Sequence, residues 1–425
     1  MKLRIYQSDK GDCLLLSGAD GGNILVDGGM RDAFKAHVRD DLGRLAARGE
    51  RLDLVYVSHI DQDHISGIVE LLDNVMAWRV HDYRKSTGAK NLKAPDFKPL
   101  PEIRGIWHNA FSSLIGRNAG PVENLLAQSS LVFSLSSDST LQEAAADHQE
   151  LAFSISEAIQ VSARISARQL AIPLNAAFDG QLAMLRGPAR REARIGKMDI
   201  FVIGPAAQDV ENLRTEWNQW LRDNQEKVRK LKKKAEEDAR GIGASADRLA
   251  ELLAARVDEL GDRTAVTAPN LASLMLYVQE GSKRLLLTGD GHADDILAGL
   301  EHHGKLDAQG RIRVDVLKVQ HHGSEHNIHQ AFCDRVSADH YVFCGNGKHE
   351  NPDREVVALI CARHRENRPR DTATLWFNCH PDVAPEGAPA THMKALKRQV
   401  DAAIAASGGK LKAKWLEKSS FDLAI

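Results

Sequence analysis

Residues 58–67 read SHIDQDHISG, and this stretch decides how the rest of the chain is read. It places four side chains able to ligate a metal, His59, Asp61, Asp63 and His64, within six positions, directly after the apolar run LDLVYVS at 52–58. An apolar run of that length reads as a buried strand, so the ligands stand just past a strand end. If the chain stays extended, side chains at 59, 61 and 63 share one face, and the turn into the following helix brings His64 round to them. Imidazole and carboxylate without thiolate suit zinc, manganese or iron(II). The competing reading is a polar strand-to-helix loop whose aspartates cap the helix.

Two further apolar runs end in the same kind of group. RLLLTGDGH places Asp290 after a strand and a glycine turn, and VLKVQHHGSEH places His321 and His322 after another. Each is weak alone, since a strand-terminal Asp is commonly a turn residue and a His pair can simply be solvated. Together they point to one place, because strand ends in a layered α/β fold converge on one edge of the sheet.

Upstream, LRIY, CLLL and NILVDGG read as short strands joined by glycine turns, and Phe34, Val38, Leu42 and Leu45 have helical spacing. Downstream, residues 86–195 loosen into Ala/Ser-rich stretches read as a helical insert. Strand signals return at MDIFVIGP (198–205), and residues 208–262 have the apolar spacing of an antiparallel helical hairpin broken at GIGAS. From there LASLMLYV, RLLLTGD, VDVLKVQ, DHYVFCG and ATLWFN alternate with helix-like stretches at 292–302, 328–336 and 353–364, an α/β pattern.

Composition excludes several classes. The 425 residues are 27% charged and 43% hydrophobic, an ordinary globular balance, and 56 basic against 58 acidic residues leave a net charge of −2. Attraction to polyanions would therefore come from local patches. Five cysteines at 13, 333, 344, 361 and 379 form no CxxC pair, which argues against a disulfide framework and fits a reducing cytoplasm. No apolar stretch approaches the roughly 18 residues that span a bilayer, so no membrane partner is expected.

GDCLLL, ILVDGG, SHIDQDHISG, NLASLMLYVQEGSKRLLLTGD, VDVLKVQHHGS and CGNGKHENP occur in an order that resembles the metallo-β-lactamase fold hydrolases, and among them the hydrolase domain of the competence DNA-uptake protein. The likeness covers roughly residues 1–80 and 265–360. It implies a four-layered αββα sandwich, with residues 1–85 as its first half, 196–207 and 263–425 as its second, and 86–195 and 208–262 as inserts. It also implies two divalent metal ions, zinc or manganese. His59 and Asp61 would bind the first, Asp63 and His64 the second, Asp290 would bridge them, and His321 or His322 would complete the second. The common motif has His where this chain has Asp61. It also supplies another His before the bridging Asp, and here Asn270 sits near that place.

Two metals held about 3.5 to 4 Å apart lower the pKa of a shared water and steady charge on a carbonyl or phosphoryl centre. Asp63 would orient that water and accept its proton, and His349 in GKHENP is the candidate donor to the leaving oxygen. His108 and Asn109 in IWHNAF are candidates to line the pocket. The basic runs KVRKLKKK (227–234), including Lys232 and Lys233, and RGPARREARIGK (186–197) are candidate phosphate contacts or plain solvated faces. The leading expectation is a phosphodiesterase or nuclease with a phosphodiester substrate, nucleic acid among them. Hydrolysis of a small ester, amide or lactone is the alternative. A third reading is a protein that binds a partner through the 208–262 hairpin and keeps a vestigial metal site.

Overall fold

The computed structural model describes residues 1–109, 154, 156–208, 210–211 and 272–425. The apolar runs form two mixed sheets. The first contains β1 (Lys2–Tyr6), β2 (Leu14–Ser17), β3 (Asn23–Val26), β4 (Leu54–Tyr56), β5 (Ile106–Trp107) and the last strand β14 (Ser420–Ala424), in the order β14-β1-β2-β3-β4-β5. The second runs from edge to edge as β13 (Leu411–Trp415), β12 (Ala373–Phe377), β11 (Val336–Phe343), β10 (Ile312–Lys318), β9 (Lys283–Leu287), β8 (Met275–Glu280), β7 (Met198–Gly204) and β6 (Ala193–Ile195).

The alternation of side chains along the strands builds three apolar layers. Leu3, Ile5, Ile24 and Val26 of the first sheet meet Ile200, Leu276, Val278 and Val316 of the second in a core between the sheets. Leu25 and Val55 face the other way, against α1 (Arg39–Ala47) and α2 (Gln62–Ser86). Met275, Tyr277 and Leu317 pack under α3 (Ala293–His302), α4 (Gln330–Arg335), α5 (Arg354–Asn367) and α6 (Ala388–Ala405). The result is the αββα sandwich, with both sheets buried on both faces. The expected helix around Phe34 is present but passes through a π-helical turn, Phe34–Val38, before α1.

The stretch read as a helical insert, 86–195, contributes a strand to each sheet at its two ends. β5 adds to β4 in parallel, with Tyr56 opposite Trp107, and β6 pairs with β7. Residues 156–165 are helical, as expected, but the ends of the segment belong to the sandwich. Two-residue β5 is too short for any alternation to show. The hairpin at 208–262 falls outside the described residues except for 208, 210 and 211. Among the described residues no helix is long and apolar enough to cross a membrane, and the five cysteines are buried and free.

β3, β4 and β5 run parallel, as do β9, β10, β11, β12 and β13. The carboxyl ends of β3, β4, β9 and β10 lead into VDGG, SHIDQDH, TGD and KVQHHG, and there the chemistry collects.

Candidate metal centre

Asp290, three residues beyond β9 after the left-handed Gly289, is the focus. Its Oδ2 lies 3.7 Å from His59 Nε2, 3.4 Å from His64 Nε2, 3.7 Å from His321 Nε2 and 3.4 Å from His322 Nε2. Asp61 Oδ2 stands 3.4 Å from His59 Nε2, and Asp63 Oδ2 stands 3.1 Å from His322 Nε2. The six candidate ligands and Asp290 are therefore one cluster. Asp12, His64, Asp290 and His322 offer ligand atoms within 4.8 Å of one another, and all four are buried. Asp12 is nonetheless occupied, bonding His322 Nδ1 at 3.1 Å and pairing with Lys318, so we place it around the ligands.

Asp63 does not continue the extended strand with His59 and Asp61, whereas His64 is brought round by the helix start as expected. α2 starts at Gln62, and its first turn presents both. Asp61 holds the position before the helix, yet its side chain makes no capping bond. The competing reading of these aspartates as caps thus fails for Asp61, whose carboxylate faces His59. Backbone proximity sets the turn: a Cβ on Gly11 would fall 1.7 Å from the Asp63 carbonyl oxygen, and one on Gly67 would fall 2.0 Å from that of Gly28. Only glycine allows these strand loops to lie against the helix.

Each imidazole is oriented by a partner on its other nitrogen, the arrangement that fixes the tautomer of a ligating histidine. Ser58 Oγ is 3.0 Å from His59 Nδ1, Asp27 Oδ2 is 3.1 Å from His64 Nδ1, and Asn327 Oδ1 is 2.5 Å from His321 Nδ1. Asp27 also accepts from the Ser58 N–H at 2.7 Å and from its hydroxyl at 2.8 Å, clamping the end of β4. Asp27, His321 and His322 have φ of 53°, 46° and 55°, left-handed values uncommon outside glycine. Such strain persists where the surroundings impose it, and it concentrates at functional sites.

Burial alone would raise the carboxyls and lower the imidazoles, but the facing charges win. Asp290 is held well below the usual carboxylate range by His322, His64, His321 and His59, and Asp63 by His64 and His322. His64 and His322 are pushed well above the ordinary imidazole value, chiefly by Asp290. For His321 burial outweighs Asp290, so it titrates below the ordinary value. His59 Nε2 and Asp290 Oδ1 are buried with no hydrogen-bond partner. Unpartnered polar atoms at the centre of a cluster of imidazoles and carboxylates suit a divalent cation, so the donor set fits the metal the sequence implies.

Of the other candidates, Asn270, Lys232 and Lys233 lie outside the described residues. His349 is exposed on a left-handed turn, Lys348–Glu350, and takes no part in the cluster. His108 is fully buried past β5, with its backbone N–H donating to Asn175 Oδ1 and its ring away from the cluster's contacts. In the run 186–197, Arg191 and Arg194 pair with Asp199, as a solvated edge does. Sequence reasoning passed over Asp12, Asp27, Ser58, Asn327 and Lys318. The signals were present, since a lysine inside the buried strand VDVLKV calls for a buried acid.

Residues 9–99 match the model of the metallo-beta-lactamase superfamily. That part of the chain is therefore a metallo-beta-lactamase superfamily domain, a class made up mostly of metal-dependent hydrolases. The match holds GDC, VDGG and SHIDQDHISG, while Asp290 and the histidine pair lie beyond it. It does not reach the narrower likeness to the competence protein. A comparison with curated proteins gave no match.

Proposed function

We propose that this chain is a two-metal hydrolase of phosphodiester bonds. The observation that carries the metal-dependent reading is the meeting of four imidazole Nε2 atoms on one oxygen of Asp290, two of the cluster's buried atoms, His59 Nε2 and Asp290 Oδ1, having no hydrogen-bond partner. Charge supports two divalent ions. Once His64 and His322 give up their protons to ligate, Asp12, Asp27, Asp61, Asp63 and Asp290 against Lys318 leave five minus one, or four, negative charges, equal to two divalent cations, zinc or manganese by the donor chemistry. Bound there, the ions would supply a nucleophile from water at neutral pH and neutralise charge on the attacked centre.

The protein's own groups do the rest. Asp63, the most exposed of the carboxylates facing His322, is the proton acceptor beside the attacking water, and Asp27 and Asp12 keep the imidazoles turned inward. The phosphodiester preference is supported by lysines at the rim: Lys10 lies close enough to Asp63 to lower its pKa, and Lys348 is held by Asp9 at 3.0 Å. Both are suited to an anionic substrate. His349, exposed beside Lys348, remains the proposed donor to the leaving oxygen.

Metal content by elemental analysis, run beside hydrolysis of bis-p-nitrophenyl phosphate with zinc, manganese, magnesium and chelator, tests this. About two equivalents and chelator-sensitive turnover support it. Metal with turnover of esters or lactones alone would move the substrate to carbonyl centres. A chain that takes up no metal would leave the partner-binding reading.

A further inference from the structure

The metallo-hydrolase pattern that this chain resembles supplies a third ligand to its first metal from a histidine ahead of the bridging aspartate, where this chain carries Asn270. We propose that His321 provides that ligand from the opposite side of Asp290, so that the adjacent histidines serve different metals. His321 would complete the first position with His59 and Asp61, and His322 the second with Asp63 and His64. This assignment rests on the two-metal reading above.

Three observations lead to it. First, consecutive residues of an extended strand point to opposite faces, yet His321 and His322 both carry left-handed φ, 46° and 55°, and both rings reach Asp290 Oδ2, at 3.7 and 3.4 Å. A strained backbone conformation is held at two successive positions. One ligand alone would not need that. Second, the two rings have different neighbours. His322 Nε2 contacts Asp63 at 3.1 Å and His64 Nε2 at 3.4 Å, the second set. His321 has no such contact with that set, and like His59 it lies 3.7 Å from Asp290 Oδ2. Third, His321 is prepared as the other three rings are. Asn327 Oδ1 accepts from its Nδ1 at 2.5 Å and leaves Nε2 as the inward lone pair, and Asn327 Nδ2 donates to the Asp290 carbonyl at 2.8 Å, tying ligand and bridge together. A histidine that merely lined the mouth would have no need of that brace.

Cobalt(II) titration of chelator-stripped full-length protein, followed by equilibrium dialysis and visible absorption, tests the assignment without any turnover assay. Wild type is expected to bind two equivalents. His321→Ala, Asp61→Ala and the double variant should each bind one, because both side chains serve the same ion, whereas Asp61→Ala combined with His322→Ala should bind none. Two equivalents in His321→Ala, or none in Asp61→Ala with His321→Ala, would overturn the assignment. Wild type binding no cobalt would instead overturn the two-metal reading, and the assignment with it. Circular dichroism of each variant before titration confirms that lost binding is not lost fold. Both His321 and Asp61 are a quarter or more exposed, so truncation leaves little cavity.

Discussion

Lys318 and Asp12 are ion-paired although each side chain is only 1% exposed. The ammonium also donates to the Gly289 carbonyl at 3.0 Å and lies 3.7 Å from Asp290 Oδ1. A fixed cation therefore sits behind the ligands, joined to the acid that orients His322. Removing one member of a buried pair leaves an uncompensated charge, at about 3–5 kcal/mol. Lys318→Met should destabilise by that order in urea unfolding, and adding Asp12→Asn should recover part of the loss. A double variant as unstable as the sum of the singles would show that the pair is not coupled.

Asp27→Asn keeps size and tolerates the left-handed backbone, but it removes the charge that holds His64 Nδ1 and the Ser58 hydroxyl. Partners of this kind are worth about 10–100-fold in metal affinity. Competition against a chromophoric chelator should show a weakening in that range with little change in thermal unfolding.

Gly11→Ala should act on the site through the backbone. The added methyl meets the carbonyl of Asp63 at 1.7 Å, so the first turn of α2 must move. Overpacking of this kind costs about 1–3 kcal/mol. The expected result is a modest drop in stability and a large drop in metal uptake. Unchanged uptake would show that the turn tolerates the displacement.

His108 is buried with neither ring nitrogen bonded among the described residues, and burial pushes its pKa down to about 4. A histidine depressed in the folded state binds its proton more readily when unfolded. Stability is thus fully present above the unfolded value near 6.5 and is lost as pH falls towards about 4, by on the order of 3 kcal/mol. His108→Leu should remove this component. Urea unfolding of both proteins at pH 7.5 and 5 should find the variant's advantage growing on the acid side.

Sheets and ligands were legible in the sequence to different degrees. β4, β9 and β10 announced themselves because long apolar runs stopped at His59, Asp290 and His321, and buried parallel strands have that signature. β13 and β14 did not. LKAKW and SFDLA are edge strands with polar residues outward, and only their partners β12 and β1 define them. The ligand list came from residue type. The residues around it, Asp12 and Asp27, looked like turn acids, because their role depends on which imidazole the folded chain brings within reach.

His322 and Asp12 hydrogen-bond across a separation of 310 residues, and the ligands come from loops of both sheets. The two rims of the sandwich are laced together at this edge, and each supplies only half of the lacing. A segment corresponding to residues 9–99 would carry Asp12, Asp27, His59, Asp61, Asp63 and His64 but not Asp290, His321 or His322, on which they converge. The cluster is thus a property of closure: it is complete only once the contacts between the two sheets have formed, and the 9–99 segment by itself would not hold it.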